Sequence, residues 1–121
     1  MSNMDPQRIS SMFRAFSEPT RLRILRLLQA GECCVGDLVS ILELPQPSVS
    51  RHLAYLREAG LVNDRKAGLW VYYSLTPPEG AFHQSLLRCL ECCFGEVPEL
   101  QADACRAAQL KKTGGCCPEE K

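Results

Sequence analysis

Residues 46–75, QPSVSRHLAYLREAGLVNDRKAGLWVYYSL, join a helix with a polar leading face to a tight hairpin, and this segment constrains the fold more than any other. Pro47 can sit in the first turn of a helix, where its missing amide has no partner to lose, and Ser48 and Ser50 crowd that turn. Val49, Leu53 and Leu56 recur at helical spacing and form an apolar stripe, while Gln46, Ser48, Ser50, Arg51, His52 and Tyr55 lie largely off it. Small hydroxyls at a helix start can approach phosphates or base edges, and Arg51 can span two acceptors of a guanine in the major groove. Gly60 can end the helix in a left-handed conformation, after which 61–62 and 69–75 read as strands around a turn over 63–68. The turn carries Arg65 and Lys66, two cations for a sugar-phosphate backbone.

Apolar periodicity predicts helices on both sides. Ile9, Met12, Phe13 and Phe16 stripe a first helix, and Ser17 with Pro19 breaks it from a second that runs to Gln29 with Leu22, Leu25 and Leu28 inward. Val35, Leu38, Val39 and Leu42 mark a third, closed by Leu44-Pro45. After the hairpin, Pro77-Pro78 leads into a fifth helix over 79–94 with Phe82, Leu86, Leu87, Leu90 and Phe94 as its stripe. An Ala-rich helix follows over 99–112, and Gly114-Gly115 precedes a CCPEEK tail.

The phrase SEPTRLRILRLL at 17–28, with SVSRHLAYLREAGLV and RKAGLWVYYSL in the same order and spacing, resembles the ArsR/SmtB metal-responsive repressors over roughly 12–75. The resemblance implies a mainly α chain with a β-hairpin wing, a winged helix-turn-helix that binds operator DNA as a homodimer through its first and fifth helices. It is strongest to the arsenic(III)-responsive branch. The expected organisation is a DNA-binding and dimerisation domain over 1–95, followed by a helix and cysteine-containing tail over 96–121. A two-fold dimer also suits a reader of this size, because one copy covers only a short half-site.

With 121 residues and a formal charge of zero, the distribution of charge matters more than its total. Residues 1–75 hold nine Lys and Arg against seven Asp and Glu, and 76–121 hold five against seven, so the halves carry +2 and −2. No stretch approaches a membrane span and the first residues lack a signal-peptide core, so a cytoplasmic protein is expected. In that compartment thiols stay reduced, and eight cysteines read as ligands or sensors rather than staples.

Those cysteines group as Cys33-Cys34, then Cys89, Cys92 and Cys93, then Cys105, then Cys116-Cys117. The arsenic branch carries a CVCDLC-like ligand run where this chain reads ECCVGDLV. Gly36 and Val39 stand where that run has cysteines, and only Cys34 matches. The His and Asp ligands of the family's zinc sensors are also missing, and the lone His83 reads as a surface or interface residue. Isolated Cys33 and Cys105 read as small buried apolar residues.

A soft three-sulfur site for arsenic(III) or antimony(III), the expected inducer, therefore draws on the C-terminal half. The preferred set is Cys92 or Cys93 with Cys116 and Cys117; Cys92, Cys93 and Cys105 come second, and the helical triad Cys89, Cys92 and Cys93 third. A methylated arsenical needs only two thiols. The expected function is a repressor released when the metalloid binds. A thiol redox-sensing repressor would use the same cysteines. A dithiol reductase would need Cys89-x-x-Cys92 at a strand-to-helix turn, whereas here it lies within a helix, so no enzyme is expected.

Overall fold

The computed structural model describes residues 4–114, with the backbone alone at Cys93 and Phe94. The chain runs α1 (Pro6–Ala15), α2 (Pro19–Gln29), β1 (Cys33–Cys34), α3 (Val35–Leu42), α4 (Gln46–Glu58), β2 (Val62–Ala67), β3 (Trp70–Leu75), α5 (Ala81–Phe94) and α6 (Pro98–Lys112).

The helix starts follow from local chemistry. Asp5 and Glu18 place side-chain oxygens on the amides of Arg8 and Arg21, at 2.8 and 2.9 Å, and a proline occupies the first turn of each helix. At α3 the sulfur of Cys34 takes this role, accepting from the Asp37 amide at 3.4 Å. Helix α3 stops at Glu43, a left-handed residue with φ of 58°, and Leu44-Pro45 turns the chain into α4.

The core forms where the stripes meet. Val49, Leu53 and Leu56 of α4 pack with Ile24, Leu25 and Leu28 of α2, Leu38 and Leu42 of α3, Met12 and Ala15 of α1, and Leu90 of α5. Truncating any one of these leucines to alanine should cost about 2–5 kcal/mol.

The sheet is antiparallel with order β1-β3-β2, pairing Cys33 with Tyr73, Cys34 with Tyr72, and Val62 through Ala67 with Leu75 back to Trp70. Its hairpin differs from the expected one. Residues 63–67 lie in strand β2, and the turn is the pair Gly68-Leu69, with Gly68 at φ +64° as a two-residue II′ hairpin requires. Arg65 and Lys66 therefore lie along the wing, and the tip is Leu69, 97% exposed.

Helix α1 is tied to the start of α5. The Arg8 guanidinium pairs with Glu79 and donates to the carbonyl of Ala59 at 2.6 Å, lying against Gly60 (φ +79°), where a Cβ would come within 2.9 Å of it. Beside this junction His83 is buried, 1% exposed, a correction to its reading as a surface or interface residue. Its Nδ1 accepts the Glu79 amide at 3.0 Å, so the ring proton belongs on Nε2. Burial lowers the His83 pKa from its usual 6.5; Glu79 opposes that shift and Arg8 reinforces it.

Between the folded value and 6.5 the unfolded chain binds more protons, so stability should rise with pH across this window and be lost as pH falls below 6.5. Denaturant titrations from pH 5 to 7 should show that slope, and His83→Gln should flatten it. Glu79 and Glu32, both held below 4.5 chiefly by hydrogen bonds from Arg8 and Arg65, act in a separate, more acidic window.

Candidate DNA-reading face and cysteine positions

With one side of α4 consumed by the core, its other side carries the polar residues. Gln46 and Arg51 are exposed and Ser48 and Ser50 half-buried at the leading end. Tyr55 is exposed with the Arg21 guanidinium over its ring at 4.0 Å. Arg21 is fixed from behind, donating to the carbonyls of Ala15 and Arg14 at 2.9 and 3.0 Å, so the Tyr55 ring has a rigid support. His52 turns inward instead, its Nδ1 3.5 Å from Arg21 Nη1 and 3.8 Å from Glu18.

On the wing, Arg65 is engaged within the molecule. It makes two hydrogen bonds to the Glu32 carboxylate, at 2.8 and 2.9 Å, and lies over the Tyr72 ring at 4.5 Å. It thus reaches across β3 to the residue just before β1. Among the described residues Arg51 and Lys66 enter no ion pair, and both are exposed. Of the cations on α4 and the wing, these two are the ones left open to a phosphate or a base edge.

Sequence reasoning missed the contacts that seat α6. The Asp103 carboxylate, 2% exposed, receives two hydrogen bonds of 2.9 Å from Arg23 of α2 and one of 2.8 Å from Arg106. Arg23 also donates to the carbonyl of Leu42 and Arg106 to that of Ile41, both at the end of α3. The Asp103 hydrogen bond raises the Arg23 pKa above its usual value despite burial. Helix α6 is thereby fastened to the two helices that support the reading helix. An acid and a base on one helix, at 103 and 106, gave no sign of a third partner 80 positions away.

Helix α6 delivers the chain to a cleft of about 510 Å³ between the end of α2, β1, α3 and its own C-terminal half. Cys33, Asp37 and Lys111 line it, and so does Gly114, the last described residue. Cys33 is half-buried. Cys34 is buried and disulfide-bonded, whereas Cys33, Cys89, Cys92 and Cys105 are in no disulfide.

Cys92 and Cys89 are exposed on α5, the latter beside a smaller cleft with Phe16 and Leu100. Cys105 is exposed on α6 rather than buried as expected, because Leu100 and Asp103 define the covered side of that helix and position 105 lies off it. The Cys93 side chain, Cys116 and Cys117 lie outside the described residues. Among the described residues no three Cys, His, Asp or Glu groups converge as a metal site.

Residues 18–64 match the model for bacterial regulatory proteins of the arsR family. An arsenic resistance transcriptional regulator of Pseudomonas putida is 41% identical over 100 residues, spanning 82% of this chain and 77% of that protein. The chain belongs to the ArsR family. The arsenical resistance operon repressor of Escherichia coli is 52% identical over 67 residues, 54% of this chain and 57% of that protein. HlyU from Vibrio cholerae superimposes with a TM-score of 0.65 at 34% identity, over 75% of this chain and 98% of that structure. The fold is accordingly the family's winged helix-turn-helix, and the chain is a DNA-binding transcriptional regulator rather than an enzyme. No described helix is long and apolar enough to cross a membrane.

In this ArsR-family chain the Asp103 clamp should carry much of the attachment of α6. Asp103→Ala leaves Arg23 without its buried partner, and the expected loss is about 2–3 kcal/mol, below the roughly 3–5 kcal/mol of a fully enclosed pair because Arg106 keeps access to water. Urea unfolding at fixed protein concentration measures it.

Proposed function

We propose that this protein represses transcription by binding operator DNA as a homodimer and leaves the DNA when cysteine thiolates, the Cys116-Cys117 pair among them, bind trivalent arsenic or antimony. The observation that carries the reading is the combination of arsenic-resistance regulators among the relatives with a cysteine-rich chain that keeps only Cys34 of the run expected in the arsenic branch. Trivalent arsenic prefers three sulfurs in a pyramid, and thiols are the soft donors it selects.

At the DNA, Gln46, Ser48, Ser50 and Arg51 face the major groove, Tyr55 follows on the same side, and Lys66 runs along the phosphates. Arg65 joins them only by exchanging Glu32 for a phosphate, and His52 acts from behind by buttressing α2 against α4. For the dimer, α1 and α5 supply the contact. Phe13 supports this, since it remains 54% exposed with its ring edge-on to Phe82 at a centroid distance of 5.1 Å. The N-terminal domain over 1–95 reads DNA and dimerises, and 96–121 carries the signal.

Release follows from linkage. An ion that binds better to a dimer with misplaced reading helices weakens DNA affinity by the same factor, typically about 1–3 kcal/mol. Arsenous acid supplies three hydroxyls; each thiol displaces one as water, three As–S bonds form, and no electron changes hands.

A thiol redox repressor is the second reading, favoured by the Cys34 disulfide. Peroxide that releases DNA from the reduced protein where arsenite does not would decide for it.

The test is fluorescence anisotropy on an operator selected from random duplexes. Arsenite added to the reduced protein should release the duplex, and no release at saturating arsenite sinks the metalloid reading. Arg51→Ala should weaken specific binding by about 1–3 kcal/mol. Lys66→Ala should weaken all duplexes alike and reduce the log–log salt slope by about one per subunit. An unchanged slope would remove Lys66 from the phosphate contacts.

A further inference from the structure

We propose that Arg21 of α2 is a positioning residue for DNA recognition: its guanidinium, anchored on the end of α1, holds the Tyr55 ring of α4 in the orientation in which that ring meets the duplex. This rests on the reading of α4 as the DNA-reading helix and adds to it a side chain that stands behind the contact face.

The geometry divides the guanidinium between two tasks. Its edge goes to backbone: Nε donates to the carbonyl of Ala15 at 2.9 Å and Nη2 to that of Arg14 at 3.0 Å. Both carbonyls belong to the last turn of α1, where a helix leaves acceptors unpaired and favours a cation. Its Cζ lies over the Tyr55 ring, 4.0 Å from the centroid, where the electron-rich face of an aromatic ring attracts a cation. Nη1 stands 3.5 Å from Nδ1 of His52, three residues before Tyr55 on α4. The Arg21 amide is itself held by the Glu18 carboxylate at 2.9 Å. A planar, forked cation can make edge bonds and a ring contact at once, whereas a lysine ammonium is a single point.

The fold does not need this contact in order to seat α4. Val49, Leu53 and Leu56 do that from the opposite side, all fully buried, while Tyr55 lies off their stripe and is 38% exposed. Arg21 is only 9% exposed. A buried and anchored cation therefore orders a ring that faces water. Side-chain freedom removed in the free protein is not lost again on binding, which for one such side chain is worth about 2- to 12-fold in affinity.

Two lesser roles would leave the same bonds in place, a cap for α1 and a positive charge near the phosphates. The experiment separates them. Affinities of the full reduced chain for the selected operator and for a scrambled duplex are measured by fluorescence anisotropy. The proteins are the parent, Arg21→Lys, Tyr55→Leu and the double variant, each checked for folding by circular dichroism.

Arg21→Lys keeps a cation near the end of α1 and loses the fork. Its operator affinity should fall by about 2- to 12-fold, with scrambled-duplex affinity unchanged. In the Tyr55→Leu background the same substitution should leave operator affinity as it was, because no ring remains to be placed. A loss of equal size in both backgrounds, or one shared by operator and scrambled duplex, overturns the proposal and leaves Arg21 a cap or a charge.

Tyr55→Leu that binds operator as the parent does also overturns it and removes Tyr55 from the reading face; loss of operator binding in Arg51→Ala would still keep α4 as the reading helix. Failure of the parent to select any operator overturns the DNA-reading function and this proposal together. Should Arg21→Lys not fold, side-chain scalar couplings of the free parent decide. A single χ1 rotamer at Tyr55 supports the proposal, and averaging over rotamers overturns it.

Discussion

A helix can read DNA only if its remaining surface is satisfied by its own protein, and in this chain that condition is met by Val49, Leu53 and Leu56. All three are fully buried, and they bring α1, α2, α3 and α5 onto one side of α4. Burying such side chains is worth about 1.5–3 kcal/mol each. That is a large share of the 5–15 kcal/mol that typically holds a domain together. The orientation of α4 is therefore not adjustable at low cost. A regulator that must move it has to act on the helices beneath.

The buried Asp103 carboxylate is the polar centre of the contact between those helices and the C-terminal helix. Asp103 collects Arg23 and Arg106 while the same two guanidiniums reach the last carbonyls of α3, groups that a helix C-terminus leaves unpaired. The contact closes the end of α3 and attaches α6 in one arrangement.

What the sequence made legible was local. The bounds of α2, α3 and α4 follow from proline positions, apolar periodicity and the glycine after α4, all within one element. The wing was displaced because Asn63 to Lys66 is a polar run and reads as a turn. In the fold these residues form the edge strand of the sheet, where charged side chains face water and guard the open edge. His52 lies off the apolar stripe and could have faced DNA, but Glu18 and Arg21, from another helix, turn it inward. His83 is buried with its Nδ1 accepting the backbone amide of Glu79 four residues earlier, a pairing with no signature in residue type. The placements of the wing, His52 and His83 thus depend on partners distant in sequence or on backbone groups.

The same distinction bears on how a signal could reach the DNA. Cys34 adjoins both elements that bear on the DNA, at the start of α3 and in the strand paired with the wing. The sulfur accepts the Asp37 amide at the start of α3, a cap that is worth about 1 kcal/mol when an oxygen makes it and less for sulfur. Residue 34 also pairs with Tyr72, and β3 carries that pairing on into the wing. Helix α3 and the wing therefore share one short strand, which begins at Cys33, so a change at this strand would act on both together.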